Sequence, residues 1–411
     1  MSNTAERAAR VMEICARLSA FTDEPGRLTR LYLSPAHKAA AHETRAIMTG
    51  AGLDARIDAV GNVVGRLGPE GAPTLYLGSH IDTVVDAGRY DGTLGVACAI
   101  VAAGEIAATG RALPFALEVL AFGDEENVRF PTSLSTSKAA AGGYDAGYPD
   151  VRDDHGVTLA EALAAFGGDA AAIPALARDP AKSLGYLEIH IEQGPVLEAR
   201  GAPLGVVTAI NAAWRANCRV VGEAGHAGTA PMDMRRDALA GAARMIAAIE
   251  EIGRAHPDAV ATVGRISADP GAVNVIAGQV AFTIDARAPR EETLAAMIAE
   301  IEAACPRIAG ERGLDFECTP YVRSPATPMD ARLQAALAEG ARRVGTQPLL
   351  LPSGAGHDAV AMSRLCPVGM IFVRCERGIS HNPAENVLPE DAGLAAGALL
   401  EAIFALVDSA T

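Results

Sequence analysis

Residues 74–122 decide the fold that this sequence predicts. They contain the apolar run TLYL at residues 74–77, an Ala-rich stretch at residues 94–108 and a second apolar run, LEVLAF, at residues 117–122. The two runs have the length and composition of strands, and the stretch between them has those of a helix, so their order is β–α–β. This order predicts an α/β fold with a mainly parallel mixed sheet flanked by helices.

The pattern changes near residue 214, which predicts a second domain. Strands and helices then follow one another as β-α-β-β-α, at residues 215–222, 236–252, 261–266, 279–287 and 293–308. Such an order is typical of an α+β sandwich inserted into another domain. We therefore assign residues 213–324 to an inserted domain, and residues 1–212 and 325–411 to the α/β domain.

The remaining elements are assigned to the α/β domain. They are an amphipathic helix at residues 1–18, a short helix at 159–166 within a long connection, a strand at 185–190, helices at 331–344 and 391–406, and a buried strand at 369–374. The charged residues within the first of these helices distinguish it from a signal peptide.

Composition and charge disfavour several classes of protein. The chain has 411 residues and is 50% hydrophobic, yet no apolar run approaches the roughly 18 residues of a membrane span. The formal net charge is −15 at pH 7 without any block of Lys and Arg, which disfavours nucleic acid and anionic membranes as partners. The seven cysteines form no CxxC pair, so neither a disulfide framework nor a Cys-based zinc site is predicted, and the cytoplasm is the expected compartment.

Histidines and acidic residues follow the predicted strands. His80 follows the first strand, His190 ends another, and the acidic run at residues 124–126 follows a third. Ligands gather at the carboxyl ends of parallel strands. This placement therefore favours an active site over a set of unrelated structural histidines.

Carboxylates accompany these histidines. Asp82 follows His80 at a spacing that lets a carboxylate orient a metal-binding imidazole. Asp91 lies in a Gly-rich loop that opens a predicted helix, where capping of the helix is its alternative role. Of the adjacent Glu125 and Glu126, one can bind a metal while the other acts as a general base. A solvated helix start is the alternative for that pair.

The chain therefore offers mixed nitrogen and oxygen ligands of the kind that Zn²⁺ or Mn²⁺ accepts. The candidate ligands are His80, Asp91, Glu126, His190 and His381. Two further histidines, His226 and His357, lie in other Gly-rich segments. Spacing along the chain does not establish that any of these residues converge.

Eight motifs occur in an order that resembles a known family. They are HIDT (80–83), YDGTLGV (90–96), DEE (124–126), HIEQGPVLE (190–198), GHAGTAPM (225–232), NVIAG (274–278), SGAGHDA (353–359) and GISHNPAE (378–385). In this order they are similar to the hydantoinase/carbamoylase branch of the M20 metallopeptidase-like family. The resemblance covers nearly the whole chain. It implies a catalytic domain with a two-metal site (1–212 and 325–411) and a lid domain that also dimerises (213–324).

The resemblance also implies a role for each candidate ligand. Asp91 would bridge two divalent cations, Zn or Mn. His80 and His190 would complete one site, and Glu126 and His381 would complete the other. An acid usually occupies the position of His190 in relatives outside this branch, so His190 itself supports the assignment.

The catalytic residues are carried over in the same way. Glu125 would be the general base, and Asp82 would orient His80. His226 would reach the active site of the partner subunit and stabilise the developing oxyanion, with stabilisation of its own turn as the alternative. Asn127 departs from the family, where Gly is common, but Asn tolerates the positive φ that a turn requires.

The substrate-binding residues complete the implied site. Asn274 and Arg287 match positions that hold the substrate carboxylate, Arg287 by a bidentate fork, with an ordinary surface salt bridge as its alternative. Gln193, Gly356 and His357 are expected to line the pocket, the glycine because it lets the backbone approach a ligand closely.

The resemblance implies hydrolysis of a ureido C–N bond in a small substrate that carries a carboxylate. The segments DEENVRFP, YLEIHIEQGPVLE, VVTAI and HAGTAPMDMRRDAL are most similar to allantoate amidohydrolases. An N-carbamoyl-L-amino-acid hydrolase or a β-ureidopropionase is the alternative within the branch. A non-catalytic dimeric binding protein is the alternative from another class, although the ligand set and the general base are complete.

Overall fold

The structure is a computed structural model that describes residues 2–408. The helices of this part of the chain are α1 (Ser2–Ser19), α2 (Pro35–Gly50), α3 (Thr93–Thr109), α4 (Ser135–Ala140), α5 (Leu159–Phe166), α6 (Val196–Ala199), α7 (Ala238–Ala255), α8 (Glu291–Glu311), α9 (Ala331–Arg343), α10 (Ala359–Met362) and α11 (Pro389–Asp408). The strands are β1 (Asp54–Ile57), β2 (Val63–Leu67), β3 (Thr74–His80), β4 (Ala116–Phe122), β5 (Ser183–Ile191), β6 (Leu204–Ile210), β7 (Ala212–Val221), β8 (Gly225–His226), β9 (Val260–Thr262), β10 (Ile266–Asp269), β11 (Val275–Ile276), β12 (Gln279–Ala288), β13 (Asp315–Ser324), β14 (Thr327–Pro328), β15 (Leu349–Ser353) and β16 (Val368–Val373).

The chain forms two compact units. Unit 1 contains the residues up to Thr208, Met329–Leu351 and the residues from Gly356 onward; unit 2 contains Ala209–Pro328 and Pro352–Ala355. The sequence prediction placed the last four of these residues, and also residues 209–212 and 325–328, in the α/β domain. They belong to unit 2 because backbone hydrogen bonds tie them there, including one from Asn211 N–H to the Ser353 carbonyl oxygen.

A nine-stranded mixed sheet runs through unit 1. Its order is β1-β2-β4-β3-β5-β16-β6-β14, and β15 pairs with β6. The four central strands β4, β3, β5 and β16 are parallel to one another, whereas β2 and β6 are antiparallel to their neighbours on either side. Helices α1, α3, α9 and α11 pack together, and α3 also contacts β3, β4 and β5. The predicted α/β class is therefore confirmed.

Burial explains why the central strands read as apolar runs. Every residue of β3 and of β4 is buried, which is expected for parallel strands covered on both faces. Helix α3 is buried along nearly its whole length beside them. The core of unit 1 therefore fixes the strand ends, and the strand ends carry the residues that the sequence singled out.

Unit 2 is an α+β layer structure. Its antiparallel sheet has the order β10-β12-β7-β13, with β9 also paired to β12, and α7 and α8 pack against it. The strand predicted at residues 261–266 is wrong, because β9 and β10 are separate strands. β13, which was not predicted, adds an edge strand to the sheet. A two-stranded ribbon, β8 with β11, lies outside this sheet.

No single helix within residues 2–408 is long and apolar enough to cross a membrane. One pair, α5 with the 3₁₀ helix Ala170–Leu176, passes a test of length and composition only when taken together, and it is bent by 83°.

Candidate metal centre

Three parallel strands bring the first candidate ligands together. β3 ends at His80, β5 carries His190 beside its last residue, and β4 ends directly before the acidic loop at residues 123–126. Because the strands are parallel neighbours in the order β4-β3-β5, their carboxyl ends lie at one edge of the sheet. The Nε2 atoms of His80 and His190 are 3.4 Å apart at this edge.

The two imidazoles present the same kind of atom to each other. Nδ1 of His80 lies 3.1 Å from the backbone carbonyl oxygen of Asp82, and Nδ1 of His190 lies 3.0 Å from that of Ile191. Since a carbonyl oxygen only accepts hydrogen bonds, each Nδ1 carries a proton, and the neutral form of each ring presents a lone pair at Nε2. Two lone pairs at this distance repel each other unless a cation or a proton lies between them.

Asp91 lies against two separate groups of ligands through its two oxygens. Oδ1 is 3.1 Å from Nε2 of His190 and 3.5 Å from Nε2 of His80. Oδ2 is 3.3 Å from Nε2 of His381, which in turn lies 3.5 Å from Oε2 of Glu126. The structure therefore brings all five predicted ligands together as two sets that share Asp91.

The spacing of these atoms fits a pair of divalent cations. Nitrogen or oxygen ligands at about 2.0–2.1 Å around a tetrahedral Zn²⁺ lie roughly 3.3 Å from one another. The corresponding distances in the two sets run from 3.1 to 3.5 Å. Oε1 of Glu126 is buried without a hydrogen-bond partner among residues 2–408, which is costly for a carboxylate unless a cation faces it.

The acidic loop is held by Asp82. Its Oδ1 accepts a hydrogen bond from Glu125 N–H at 3.3 Å, and its Oδ2 accepts one from Glu126 N–H at 3.2 Å. Oε2 of Glu125 lies 3.9 Å from Nε2 of His80.

Burial raises the pKa of Glu125 well above its usual value, opposed by His80 and reinforced by the charge of Glu126. Burial and the Asp91 carboxylate raise the pKa of Glu126 to about 8. So many buried carboxylates are unfavourable unless positive charge lies among them.

Two structural alternatives are excluded by the geometry. Asp91 does not cap α3, because the N-cap residue is Gly92 and the cap has no side-chain hydrogen bond. Glu125 and Glu126 do not begin a helix, because the next helix, α4, begins at Ser135. Asn127 adopts a φ of 55°, so the turn that favours Gly in the family is formed by Asn here.

A layer of supporting residues surrounds Asp91. Ser380 Oγ donates to Asp91 Oδ2 at 2.7 Å, and Gln193 Nε2 donates to the same oxygen at 2.9 Å. Oε1 of the buried Glu385 accepts hydrogen bonds from the backbone N–H groups of Tyr90 and Asp91, at 2.8 and 3.2 Å. Sequence reasoning missed Ser380 and Glu385, although both lie in the segment GISHNPAE. Nothing in that segment indicates contact with the loop of Asp91.

The other two predicted pocket residues of unit 1 differ in their surroundings. His357 is buried, and its ring packs edge-on against His190 with centroids 4.4 Å apart. Burial lowers the pKa of His357 well below its usual value, so its ring is neutral. At Gly356 an added Cβ would meet no atom of the described chain within 4 Å. Protein packing therefore does not require this glycine.

The three predicted residues of unit 2 lie in two places. His226 is exposed in β8, and its Nδ1 accepts a hydrogen bond from Gly228 N–H at 3.0 Å, which is the turn-stabilising alternative. Asn274 is also exposed, and its backbone carbonyl accepts from Ala227 N–H. These two residues are neighbours because Val275 of β11 pairs with His226. Their contacts with a substrate stay predictions.

Arg287 is already engaged within its own strand. Its Nε and Nη2 donate to the two carboxylate oxygens of Asp285, each at 2.8 Å, and its Nη1 donates to the Gly354 carbonyl oxygen at 2.5 Å. Arg287 also lines a cavity of about 510 Å³ in unit 2. A substrate carboxylate that binds the forked edge of Arg287 must therefore displace Asp285.

Residues 76–405 match the peptidase family M20/M25/M40, and the chain belongs to this family. An allantoate deiminase of Arabidopsis thaliana is 39% identical over 96% of this chain and 81% of its own length. An N-carbamoyl-L-amino acid amidohydrolase of Geobacillus stearothermophilus is 37% identical over 93% of this chain and 94% of its own. The crystal structure of a hydantoinase/carbamoylase family amidase from Burkholderia multivorans has a TM-score of 0.91 at 33% identity, and 97% of each chain is covered. The resemblance inferred from the motifs is confirmed.

Proposed function

We propose that this protein is a metal-dependent amidohydrolase that cleaves a ureido C–N bond in a small substrate carrying a carboxylate. The placement of Asp91 supports this most directly, because its two oxygens lie within 3.5 Å of separate sets of ligand atoms. The relatives named as allantoate deiminase and as N-carbamoyl-L-amino acid amidohydrolase support the substrate class.

Glu125 is the proposed general base. Two divalent cations, Zn²⁺ or Mn²⁺, would supply Lewis acidity, which polarises a carbonyl group and lowers the pKa of water. Glu125 accepts a proton from the attacking water and delivers it to the leaving nitrogen. Asp82 positions Glu125 by accepting a hydrogen bond from the Glu125 backbone N–H. The Asp82 carboxylate also lies beside His80.

The substrate contacts in this proposal follow the family resemblance. Asn274 and Arg287 bind the carboxylate, which fixes the distance and orientation of the ureido group. His226 stabilises the developing oxyanion in the partner subunit of a homodimer. Gln193 and His357 line the pocket beside the ligands.

Allantoate is the substrate that we favour. Its support is the similarity of several segments to allantoate amidohydrolases, together with the 39% identity to an allantoate deiminase. Hydrolysis would consume water and release ammonia and carbon dioxide from one ureido group. An N-carbamoyl-L-amino acid is the second candidate, supported by the relative at 37% identity. Both compounds join a carboxylate to a ureido group, and allantoate carries two ureido groups on one carbon.

A substrate panel tests the proposal. Protein stripped with a chelator is reloaded separately with Mn²⁺ and with Zn²⁺, and ammonia release is measured with allantoate, several N-carbamoyl-L-amino acids and N-carbamoyl-β-alanine. We expect activity only after metal loading and the highest kcat/KM with allantoate. A higher kcat/KM with a carbamoyl amino acid would replace allantoate by the second candidate.

Failure of the whole panel would have a different meaning. A sample that binds no divalent cation and releases no ammonia from any ureido compound would contradict the proposal. It would favour a non-catalytic dimeric binding protein, which the same sample could test through its oligomeric state.

A further inference from the structure

Two cysteines are cross-strand neighbours in the sheet of unit 2. Cys218 in β7 and Cys318 in β13 are directly opposite in the antiparallel register, although they are 100 residues apart in sequence. Their Sγ atoms are 3.3 Å apart. Both thiols are free, and the sequence pattern of scattered cysteines did not predict the pair.

The backbone at this position suits a disulfide. Directly opposed residues of an antiparallel pair have Cα atoms about 4.5–5.5 Å apart. Disulfides join residues whose Cα atoms are about 4.4–6.8 Å apart. The two sulfur atoms therefore need to approach by little more than an ångström to reach a bond of about 2.05 Å, without any change of register.

The two thiols differ in their access to solvent. Cys218 is buried, with 2% of its surface exposed, in the layer between the sheet and α8. Cys318 is partly exposed on the edge strand, and it is the one cysteine of the seven that is not buried in the described chain. An oxidant can therefore reach Cys318 first, with Cys218 directly behind it.

A metal site does not explain this pair. Cys305 of α8 belongs to the same hydrophobic core, but the pair lacks a third ligand. Within residues 2–408, every group of three or more His, Cys, Asp or Glu ligand atoms close enough to hold an ion lies at the metal centre of unit 1.

We propose that Cys218 and Cys318 are a redox-modification site, at which a peroxide converts the two thiols into an intrachain disulfide. The Cys318 thiolate attacks the O–O bond of hydrogen peroxide, which forms a sulfenic acid and releases one water. Cys218 then attacks the Cys318 sulfur, which forms the S–S bond and releases a second water. The two thiols lose two electrons and two protons, and one peroxide becomes two waters.

The interaction between the two thiols favours this order of events. The hydrogen bond from Cys218 lowers the pKa of Cys318. The thiolate is the form that reacts with peroxides, so Cys318 is the better nucleophile of the two. The resulting bond would tie the edge strand β13 to β7 and close a loop of 100 residues, which stabilises a fold by restricting its unfolded chain.

Peptide mapping of the full-length protein tests the proposal. Dilute protein is treated with a small excess of hydrogen peroxide, blocked with iodoacetamide and digested with trypsin without reduction. Cleavage after Arg and Lys places Cys218 in the peptide of residues 216–219 and Cys318 in that of residues 313–323. We expect a cross-linked pair of these peptides two hydrogen masses below their sum, abolished by dithiothreitol, and the loss of two thiols per chain.

Matched variants identify the partners. In Cys218→Ser, peroxide should leave a sulfenic acid on Cys318 that dimedone traps, and no intrachain cross-link should form. In Cys305→Ser, which removes a buried thiol of the same core, the cross-link should form as in the wild type. The melting temperature should rise on oxidation of the wild type and of Cys305→Ser only.

Three outcomes would overturn the proposal. The first is a wild-type Cys318 that accumulates sulfinic or sulfonic acid, with a mass gain of two or three oxygens, while Cys218 stays reduced. The second is a wild-type protein that keeps all seven thiols under peroxide. The third is a wild-type protein that links Cys318 only to a second chain. None of these outcomes depends on whether the protein hydrolyses ureido compounds.

Discussion

The protonation of two imidazoles determines what the candidate centre can bind. The backbone carbonyls of Asp82 and Ile191 fix the protons of His80 and His190 on Nδ1. A backbone carbonyl is not removed by a side-chain substitution, so both Nε2 lone pairs stay available to a cation. Substitutions of neighbouring residues that are not ligands should therefore separate catalysis from metal binding.

Replacing Glu125 by Gln provides such a separation. The variant keeps the size of the side chain but cannot accept a proton, so we expect kcat to fall on the order of 10²- to 10⁴-fold. Metal content should be unchanged, because Glu125 is not one of the five proposed ligands. Steady-state kinetics and elemental analysis of the same sample measure both quantities. A variant that keeps most of its turnover would remove Glu125 from the role of base.

Glu385 should act through the position of Asp91. Its Oε1 accepts from two backbone N–H groups of the Asp91 loop, so Glu385→Ala should weaken cation affinity by about 10- to 100-fold, as loss of a supporting contact typically does. Glu385→Gln keeps an oxygen acceptor and should lose less. Competition with a chelator measures the affinity.

The control for this series is Glu390→Ala, an exposed acid of α11 that should leave the affinity unchanged. Equal affinity in Glu385→Ala and in the control would show that the backbone contacts do not position the ligand.

The sequence predicted the candidate ligands that converge, but not the residues that support them. Histidines and adjacent acids at strand ends are recognisable, because few structural roles require them there. Ser380 and Glu385 carry no such signal, since their partners in the Asp91 loop lie 289 and 295 residues away. For a related reason, the sequence could not decide whether Arg287 binds a substrate carboxylate or forms a salt bridge with Asp285. Both residues lie on one strand, and the sequence does not specify which groups face that strand.

At the scale of elements, the connection from β3 into α3 packs tightly against His80. Gly92 has a φ of 62°, and a Cβ there would lie 2.4 Å from the imidazole of His80. Gly110 at the other end of α3 has a φ of 63°, and a Cβ there would meet no atom of the described chain within 4 Å. The same helix therefore offers a matched pair of glycines, of which only Gly92 contacts a proposed ligand.

Alanine substitution at these two glycines should give different results. Gly110→Ala should lower the free energy of unfolding by about 1–2 kcal/mol, from the left-handed backbone alone. Gly92→Ala should lower it further and should also weaken cation binding, because the new methyl group displaces His80. Urea unfolding and metal titration of both variants measure this. Similar cation affinities in the two variants would contradict the argument.

Strongly patterned elements were predictable and weakly patterned ones were not. The helices and strands around β3, α3 and β4 follow directly from buried apolar runs. β13 alternates poorly because most of its residues are exposed on the sheet edge, and its register shifts between Pro320 and Val322. A strand tolerates proline at such an irregularity, but a proline seen only in the sequence disfavours the prediction of a strand.

At the scale of the molecule, the chain leaves and re-enters unit 1 at adjacent positions. Thr208 and Met329 are joined by a hydrogen bond from Met329 N–H to the Thr208 carbonyl oxygen, 3.0 Å long. Beyond them, β6 and β14 pair antiparallel at Ala209 and Pro328. A two-residue turn can join antiparallel strands that are this close.

Replacing residues 209–328 by Asn-Gly should therefore leave a folded unit 1. All five proposed ligands lie in unit 1, so we expect a cooperative thermal transition and two cations per chain, but no ureido hydrolysis, because His226, Asn274 and Arg287 are removed. The family resemblance implies that the full chain dimerises through this segment, so light scattering should show a monomer after the replacement. Loss of the cooperative transition, or fewer than two cations per chain, would contradict this expectation.

The adjacent crossings also bear on the order of folding. An unfolded segment of residues 209–328 would impose an entropic cost on bringing β6 and β14 together, because closure entropy grows, although slowly, with loop length. Once unit 2 has folded, the pairing of Ala213 in β7 with Ser324 in β13 already holds the two ends of the segment close together. Pairing of β6 with β16 in the large sheet should then be fastest once unit 2 has folded. The inserted unit would therefore speed the formation of the sheet whose chain it interrupts.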